Sequence, residues 1–206
     1  MQVVNTDNRL FLILRSLRVN QWIKNLVVFT AIIFSGELFN QPVFMQTVGA
    51  FFLFCLLSST SYVFNDIIDY PNDKKHPIKR FRPIASGKIS IQEATFTVFI
   101  LVIVSLVLAL LFSIQFFFIS LLFLGLHIVY SLYLKNHPII DIFSISLSFM
   151  IRAFAGVVAT GFAIPIWLMF TIFFGSLFVA TVKRDAELAN FGREARASLI
   201  SYREHL

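Results

Sequence analysis

The chain has 206 residues, 58% of them hydrophobic and only 14% charged, with 26 phenylalanines and a formal net charge of +6. At a mean hydropathy of +0.82 it carries more apolar surface than a water-soluble domain can hide, so a soluble globular protein is excluded and lipid is the expected solvent. The positive balance admits nucleic acid, an anionic membrane surface or phosphorylated ligands, and position along the chain decides among them.

The N-terminal residues carry Asp7 and Arg9 ahead of the first apolar run and lack a small-residue cleavage pattern, so no signal peptide is expected and the first span should be retained. Charge-poor stretches of the roughly 20 residues that cross a bilayer as helix fall at 23–40, 43–64, 92–113, 115–134, 138–161 and 164–182. Lys24 and Glu37 sit near the ends of the first. The third and fourth share one uncharged run from Ala94 to Leu134, about twice a crossing, and a tight hairpin at Ser113-Ile114-Gln115 should divide it. From Phe191 to Leu206 the pattern is that of an amphipathic polar helix. The single cysteine, Cys55, lies in an apolar run without a partner and reads as a small buried hydrophobe. The expected fold class is all-α: a polytopic transmembrane helix bundle of about six spans, one domain over 1–206, with a cytoplasmic loop over 65–90.

Lysine and arginine set the orientation. Arg9, Arg15, Arg18 and Lys24 lie at or before the first span. Lys74, Lys75, Lys79, Arg80, Arg82 and Lys88 lie between the second and third, Lys135 between the fourth and fifth, and Lys183, Arg184, Arg193, Arg196 and Arg203 after the sixth. The connections on the other side contain neither residue. This alternation predicts a multi-pass protein of the cytoplasmic (inner) membrane with its N-terminus and long polar segments in the cytoplasm. Basic loops gathered at one bilayer surface disfavour nucleic acid as a partner.

The sharpest chemical feature follows the second span, in Asn65-Asp66-Ile67-Ile68-Asp69-Tyr70-Pro71-Asn72-Asp73. Asp66, Asp69 and Asp73, at i, i+3 and i+7, share one helix face if the helix continues past Pro71. Three carboxylates at a hydrocarbon boundary repel one another unless a cation sits among them, and hard oxygen ligands favour Mg²⁺ bridged to a bound diphosphate. The basic run Lys74, Lys75, His76, Lys79, Arg80 and Arg82 supplies further phosphate contacts, arginine in bidentate geometry and lysine as a mobile point charge. The bland reading of Lys74 and Lys75 is that they obey the positive-inside rule.

Arg152 stands in mid-span, where an arginine costs about 2.5–3.5 kcal/mol on insertion scales. It either lines an anion site or bonds interior groups such as Ser146 and Ser148. Asp141, eleven positions earlier, should lie on nearly the same face without touching it. His127 reads as a satisfied interior histidine, and Tyr130 and Tyr133 fit an aromatic belt as well as a ligand contact. Lys183, Arg184 and Glu187 stand where the last span leaves the bilayer, as candidates to close the donor site or as a solvated helix end.

Asn65-Asp66-x-x-Asp69-x-x-x-Asp73, followed by Arg82-Pro83 and Gly87, resembles the first aspartate-rich motif of the UbiA-type prenyltransferase superfamily, intramembrane enzymes that bind a diphosphate donor through Mg²⁺. Four further blocks look more specifically like the decaprenyl-phosphate phosphoribosyltransferases. They are Gln21-Trp22-x-Lys24-Asn25-x-x-Val28-Phe29, His76-Pro77-x-Lys79-Arg80-x-Arg82-Pro83-Ile84-Ala85-x-Gly87, Tyr130-Ser131-x-x-Leu134-Lys135 and Lys183-Arg184-x-Ala186-Glu187-Leu188.

The resemblance implies transfer of 5-phosphoribose from phosphoribosyl pyrophosphate to a polyprenyl phosphate, with release of pyrophosphate. Asp66, Asp69 and Asp73, with Asn65, would hold Mg²⁺ and the donor pyrophosphate, and Lys79, Arg80 and Arg82 would grip its phosphates. Lys135, Arg152 and Lys183 would face the acceptor phosphate or the sugar phosphate, and Lys24, Arg184 and Glu187 belong to the same matched blocks. The bilayer is a partner, and a homo-oligomer is compatible with this reading. The superfamily fold has nine spans against six here, so the chain is expected to lack about three and to be poorly active alone. An aromatic polyprenyltransferase is the alternative enzyme; its second DxxxD motif is absent, because Asp185 is followed four positions later by Ala189. A membrane transport or assembly subunit is the non-enzyme alternative.

Overall fold

A computed structural model describes residues 9–191, and the helix expected over 191–206 lies outside them apart from Phe191. Among the described residues every regular element is a helix: α1 (Arg9–Ser16), a 3₁₀ segment (Val19–Phe29) running into α2 (Thr30–Phe34), α3 (Gln41–Ile68), α4 (Tyr70–Asp73), α5 (Ile91–Phe112), α6 (Ile114–Leu132), α7 (Pro138–Thr160) and α8 (Ile166–Phe191), with short 3₁₀ turns at Lys79–Phe81 and Leu134–Asn136. Five of these, α3 and α5 to α8, are long and apolar enough to cross a membrane.

Local chemistry explains where the long helices begin and end. Ser90 and Glu93 form a reciprocal capping box at the start of α5, with Glu93 accepting from the Ser90 amide at 2.9 Å. The uncharged run divides at Ser113, a single extended residue whose side chain accepts from the Phe116 amide at 3.0 Å and so ends α5 while capping α6. Pro138 opens α7 in its first turn, and Gly161, at φ 75°, closes it in the left-handed conformation that glycine adopts without strain.

The first expected span takes a different form. Instead of one helix over 23–40 there is the 3₁₀ segment and then the five residues of α2. At about 2.0 Å rise per residue a 3₁₀ helix covers more distance than an α-helix. Val19–Phe34 thus extends roughly 30 Å, one hydrocarbon thickness, in 16 residues. Packing against α7 accompanies this winding. Val28, fully buried, lies so close to α7 that a Cβ added to Gly156 would stand 2.0 Å from the Val28 carbonyl oxygen. Small residues permit such backbone approach between membrane helices. Gly156→Ala is therefore expected to destabilise the fold by about 3 kcal/mol, the upper part of the usual overpacking cost, seen as a lowered melting temperature in detergent.

Helices α3 and α7 form the interior. Half of the most apolar stretch of α3 and 56% of that of α7 are buried, against 11% in α5 and in α8, which present Phe and Leu outward. Phe54 of α3 sets the centre, edge-on to Phe116 at 5.8 Å and to Phe123 at 5.1 Å between ring centroids. A second cluster, of Leu12, Val63, Ile84, Ile89 and Ala94, fastens α1 and the 74–90 loop to the end of α3. That cluster fixes the loop that brings Arg82 to the aspartates.

Candidate active site at the exit of α3

Helix α3 carries Asn65 and Asp66 in its last turn, Asp69 is its C-terminal capping residue, and α4 adds Asp73. The Asp69 amide donates to the Asn65 carbonyl at 2.9 Å and the Asp73 amide to the Asp69 carbonyl at 2.8 Å, so the helical course passes Pro71 almost without a break. Pro71 sits in the first turn of α4, where its missing N–H costs nothing.

The carboxylates separate into two groups. Asp66 and Asp73, both 3% exposed, converge on one nitrogen of Arg82, at 3.0 and 2.5 Å, and Asp66 also accepts from Arg18. Asp69 accepts from Lys135 at 2.5 Å and from the Asn65 amide nitrogen at 2.8 Å, while Lys135 stands 3.5 Å from the Asn65 side-chain oxygen. Among the described residues no three acidic, histidine or cysteine side chains form a metal-binding group. Two converging carboxylates remain a donor set suited to Mg²⁺, which usually takes one or two protein carboxylates and completes its shell with water and phosphate oxygens. The residues fit that ion once Arg82 turns aside.

The other expected site residues fall into three places. Lys79 belongs to the loop beside the cluster, whereas the Arg80 guanidinium stacks over Phe81 at 4.8 Å on the exposed side. Lys24, partly buried, feels the charges of Lys183, Arg152 and Arg18. Arg152 is 3% exposed and held by Asn25 at 2.8 Å and by the Ser148 carbonyl and hydroxyl at 3.0 and 2.9 Å, with Phe123 and Phe149 rings 4.8 and 5.2 Å away. Of the two readings of Arg152, the bonded interior residue describes this geometry, and it ties the 3₁₀ segment to α7.

Arg184 is not at the aspartate cluster. It grips Asp141 at 2.6 and 3.2 Å, with Glu187 at 2.9 Å and Tyr130 donating to Asp141 at 2.8 Å, which locks α6, α7 and α8 together. Asp141 therefore pairs with α8 and not with Arg152 on its own helix. The His127 Nε2 is buried without a hydrogen-bond partner, contrary to the expectation of a satisfied interior histidine.

Sequence reasoning missed Arg18 as a site residue. Read only as a topological charge, it stands 48 residues from Asp66 in the chain, and no local motif joins the two. The Asp141 to Arg184 pair escaped for the same reason.

In the loop, His76 Nδ1 accepts from the Ile78 and Lys79 amides at 3.1 and 3.3 Å. Partial burial, and then the Lys79 charge, lower its pKa from 6.5. The neutral ring is the form that orders the loop. Its contribution is complete above pH 6.5 and is lost as pH falls through the lowered value. Limited proteolysis of the 74–88 loop should thus speed up as pH is taken progressively below 6.5, and His76→Gln should flatten that dependence.

The UbiA prenyltransferase family model matches residues 26–193. The chain is 36% identical over 196 residues to a decaprenyl-phosphate phosphoribosyltransferase of Corynebacterium glutamicum, covering 92% of this chain and 59% of that protein. It is 33% identical over 197 residues to the enzyme of that name from Mycobacterium tuberculosis, covering 92% and 65%. The chain thus spans about three fifths of the length of these relatives. In fold it is similar to a UbiA homolog from Archaeoglobus fulgidus, solved bound to DMAPP and Mg²⁺, with a TM-score of 0.75 at 21% identity over 90% of this chain and 67% of that one. Sequence and fold agree: the chain belongs to the UbiA prenyltransferase family.

Proposed function

We propose that this protein is a Mg²⁺-dependent transferase that moves 5-phosphoribose from phosphoribosyl pyrophosphate to a polyprenyl phosphate such as decaprenyl phosphate, releasing pyrophosphate. The observation that carries this reading is the pairing of buried Asp66 and Asp73 with Arg82, beside the Asp69 to Lys135 pair, in a chain 33–36% identical to proteins named for that activity. The positive-inside pattern supports a cytoplasmic N-terminus and site in the inner membrane, within one helical domain whose 65–90 loop is cytoplasmic.

In this reading Asp66 and Asp73, with Asp69 and Asn65 beside them, would hold Mg²⁺ at the donor pyrophosphate. Bound Mg²⁺ would neutralise the phosphate oxygens and stabilise charge on the leaving group. Arg82 takes further pyrophosphate oxygens, with Lys79 beside it, and Arg80 would have to leave Phe81 to join them. Lys24, which feels the charge of Lys183, suits the anionic acceptor phosphate. An acceptor phosphate oxygen bonds to the anomeric carbon as the bond from that carbon to pyrophosphate breaks. Because the attacking oxygen is already anionic, no general base is required, and alignment with charge stabilisation are the main catalytic contributions.

The test is donor selectivity. Labelled phosphoribosyl pyrophosphate should be retained by the protein in lipid nanodiscs in a Mg²⁺-dependent manner and passed to decaprenyl phosphate. Preferential retention of a labelled prenyl diphosphate would instead identify an aromatic polyprenyltransferase.

A further inference from the structure

The three aspartates and the three basic side chains around them form a balanced set. Arg18 and Arg82 face Asp66, Arg82 also faces Asp73, and Lys135 faces Asp69. Arg18 is held on two sides, by Asp66 and by the Tyr62 ring 5.2 Å away. It is also the one non-glycine residue with positive φ among those described, at 51°. The left-handed region is strained for arginine, and such strain persists only where surrounding contacts enforce it.

We propose that Arg18, Arg82 and Lys135 are the internal counter-ions of the donor site, and that they exchange the aspartates for phosphate oxygens when a diphosphate and a divalent metal arrive together. The proposal rests on the donor-site reading above and extends it to how the site is filled. A free divalent ion entering between Asp66 and Asp73 must displace the Arg82 nitrogen bonded to both. The displaced guanidinium would then stand beside a doubly charged ion without an acceptor. The arginines are only 26% exposed and Lys135 16%, so water screens that repulsion poorly.

A diphosphate brings the missing acceptors with it. Its oxygens match the arginine fork and the lysine ammonium, so each cation leaving a carboxylate gains an anion. Every charge stays paired throughout the exchange, and metal and diphosphate strengthen one another by the same factor.

Mn²⁺ and inorganic pyrophosphate are the probes, with the protein in lipid nanodiscs and free Mn²⁺ read by electron paramagnetic resonance. Pyrophosphate is expected to tighten Mn²⁺ binding by about 100-fold, within the usual range of coupling. Arg82→Gln and Lys135→Gln should each tighten Mn²⁺ alone by about 10-fold while shrinking the effect of pyrophosphate. Lys135→Arg, which keeps the counter-ion, should respond as the unaltered protein does. Mn²⁺ that binds equally well with and without pyrophosphate overturns the exchange and leaves the donor site standing. So does loss of Mn²⁺ binding in Arg82→Gln without pyrophosphate. If the unaltered protein takes up neither probe, singly or together, the donor-site reading falls and the exchange with it.

Discussion

Asp66→Asn is expected to lower Mg²⁺-dependent retention of labelled phosphoribosyl pyrophosphate by at least about 100-fold while the protein still folds. The amide keeps the shape of the side chain and part of its hydrogen bonding to Arg18 and Arg82 but removes the charge that a metal ion needs. Asp66→Ala should go further. It leaves Arg18 and Arg82, each 26% exposed, with only Asp73 facing Arg82, and losing the partner of such partly solvated charges costs about 1–3 kcal/mol. Donor retention and a detergent melting curve, measured on both variants, separate the two effects. Full donor retention in Asp66→Asn would shift the chain toward a transport or assembly role.

Asp141→Ala should produce the largest loss of stability, about 3–5 kcal/mol, because it strands Arg184 inside the protein. Asp141 is fully buried and Arg184 is 3% exposed, and two arginine nitrogens are committed to the one carboxylate. Glu187 cannot substitute, since its side chain is 26% exposed and bonds a different nitrogen of Arg184. Glu187→Gln should therefore cost no more than about 1 kcal/mol. The double variant Asp141→Leu with Arg184→Met removes both charges together and is expected to melt well above Asp141→Ala. A double variant no more stable than the single one would show that the pair does more than latch α8 to α7.

The latch also bears on how the site was read from sequence. Lys183, Arg184 and Glu187 looked like one polar group able to close over the donor. Adjacent positions on a helix point in different directions, and here Arg184 turns inward to Asp141 while Lys183 is exposed. Spacing along α8 gave the angles between these side chains but not which of them faced α7.

The sequence alone determined the features that depend on a stretch of chain and the solvent around it: long apolar helices, the division at Ser113, and an acidic helix face passing into a basic loop. Hydrocarbon imposes a fixed thickness and forbids unpaired backbone, so each span declares itself within some twenty residues. Tertiary structure decided which charges meet. Arg18 with Asp66, Lys135 with Asp69, Arg184 with Asp141 and Arg152 with Asn25 are joined across 48, 66, 43 and 127 residues. It also decided that the first apolar segment is wound as a 3₁₀ helix seated against Gly156. These outcomes depend on how close and at what rotation the helices pack, and that is set by the whole bundle at once rather than by any one segment.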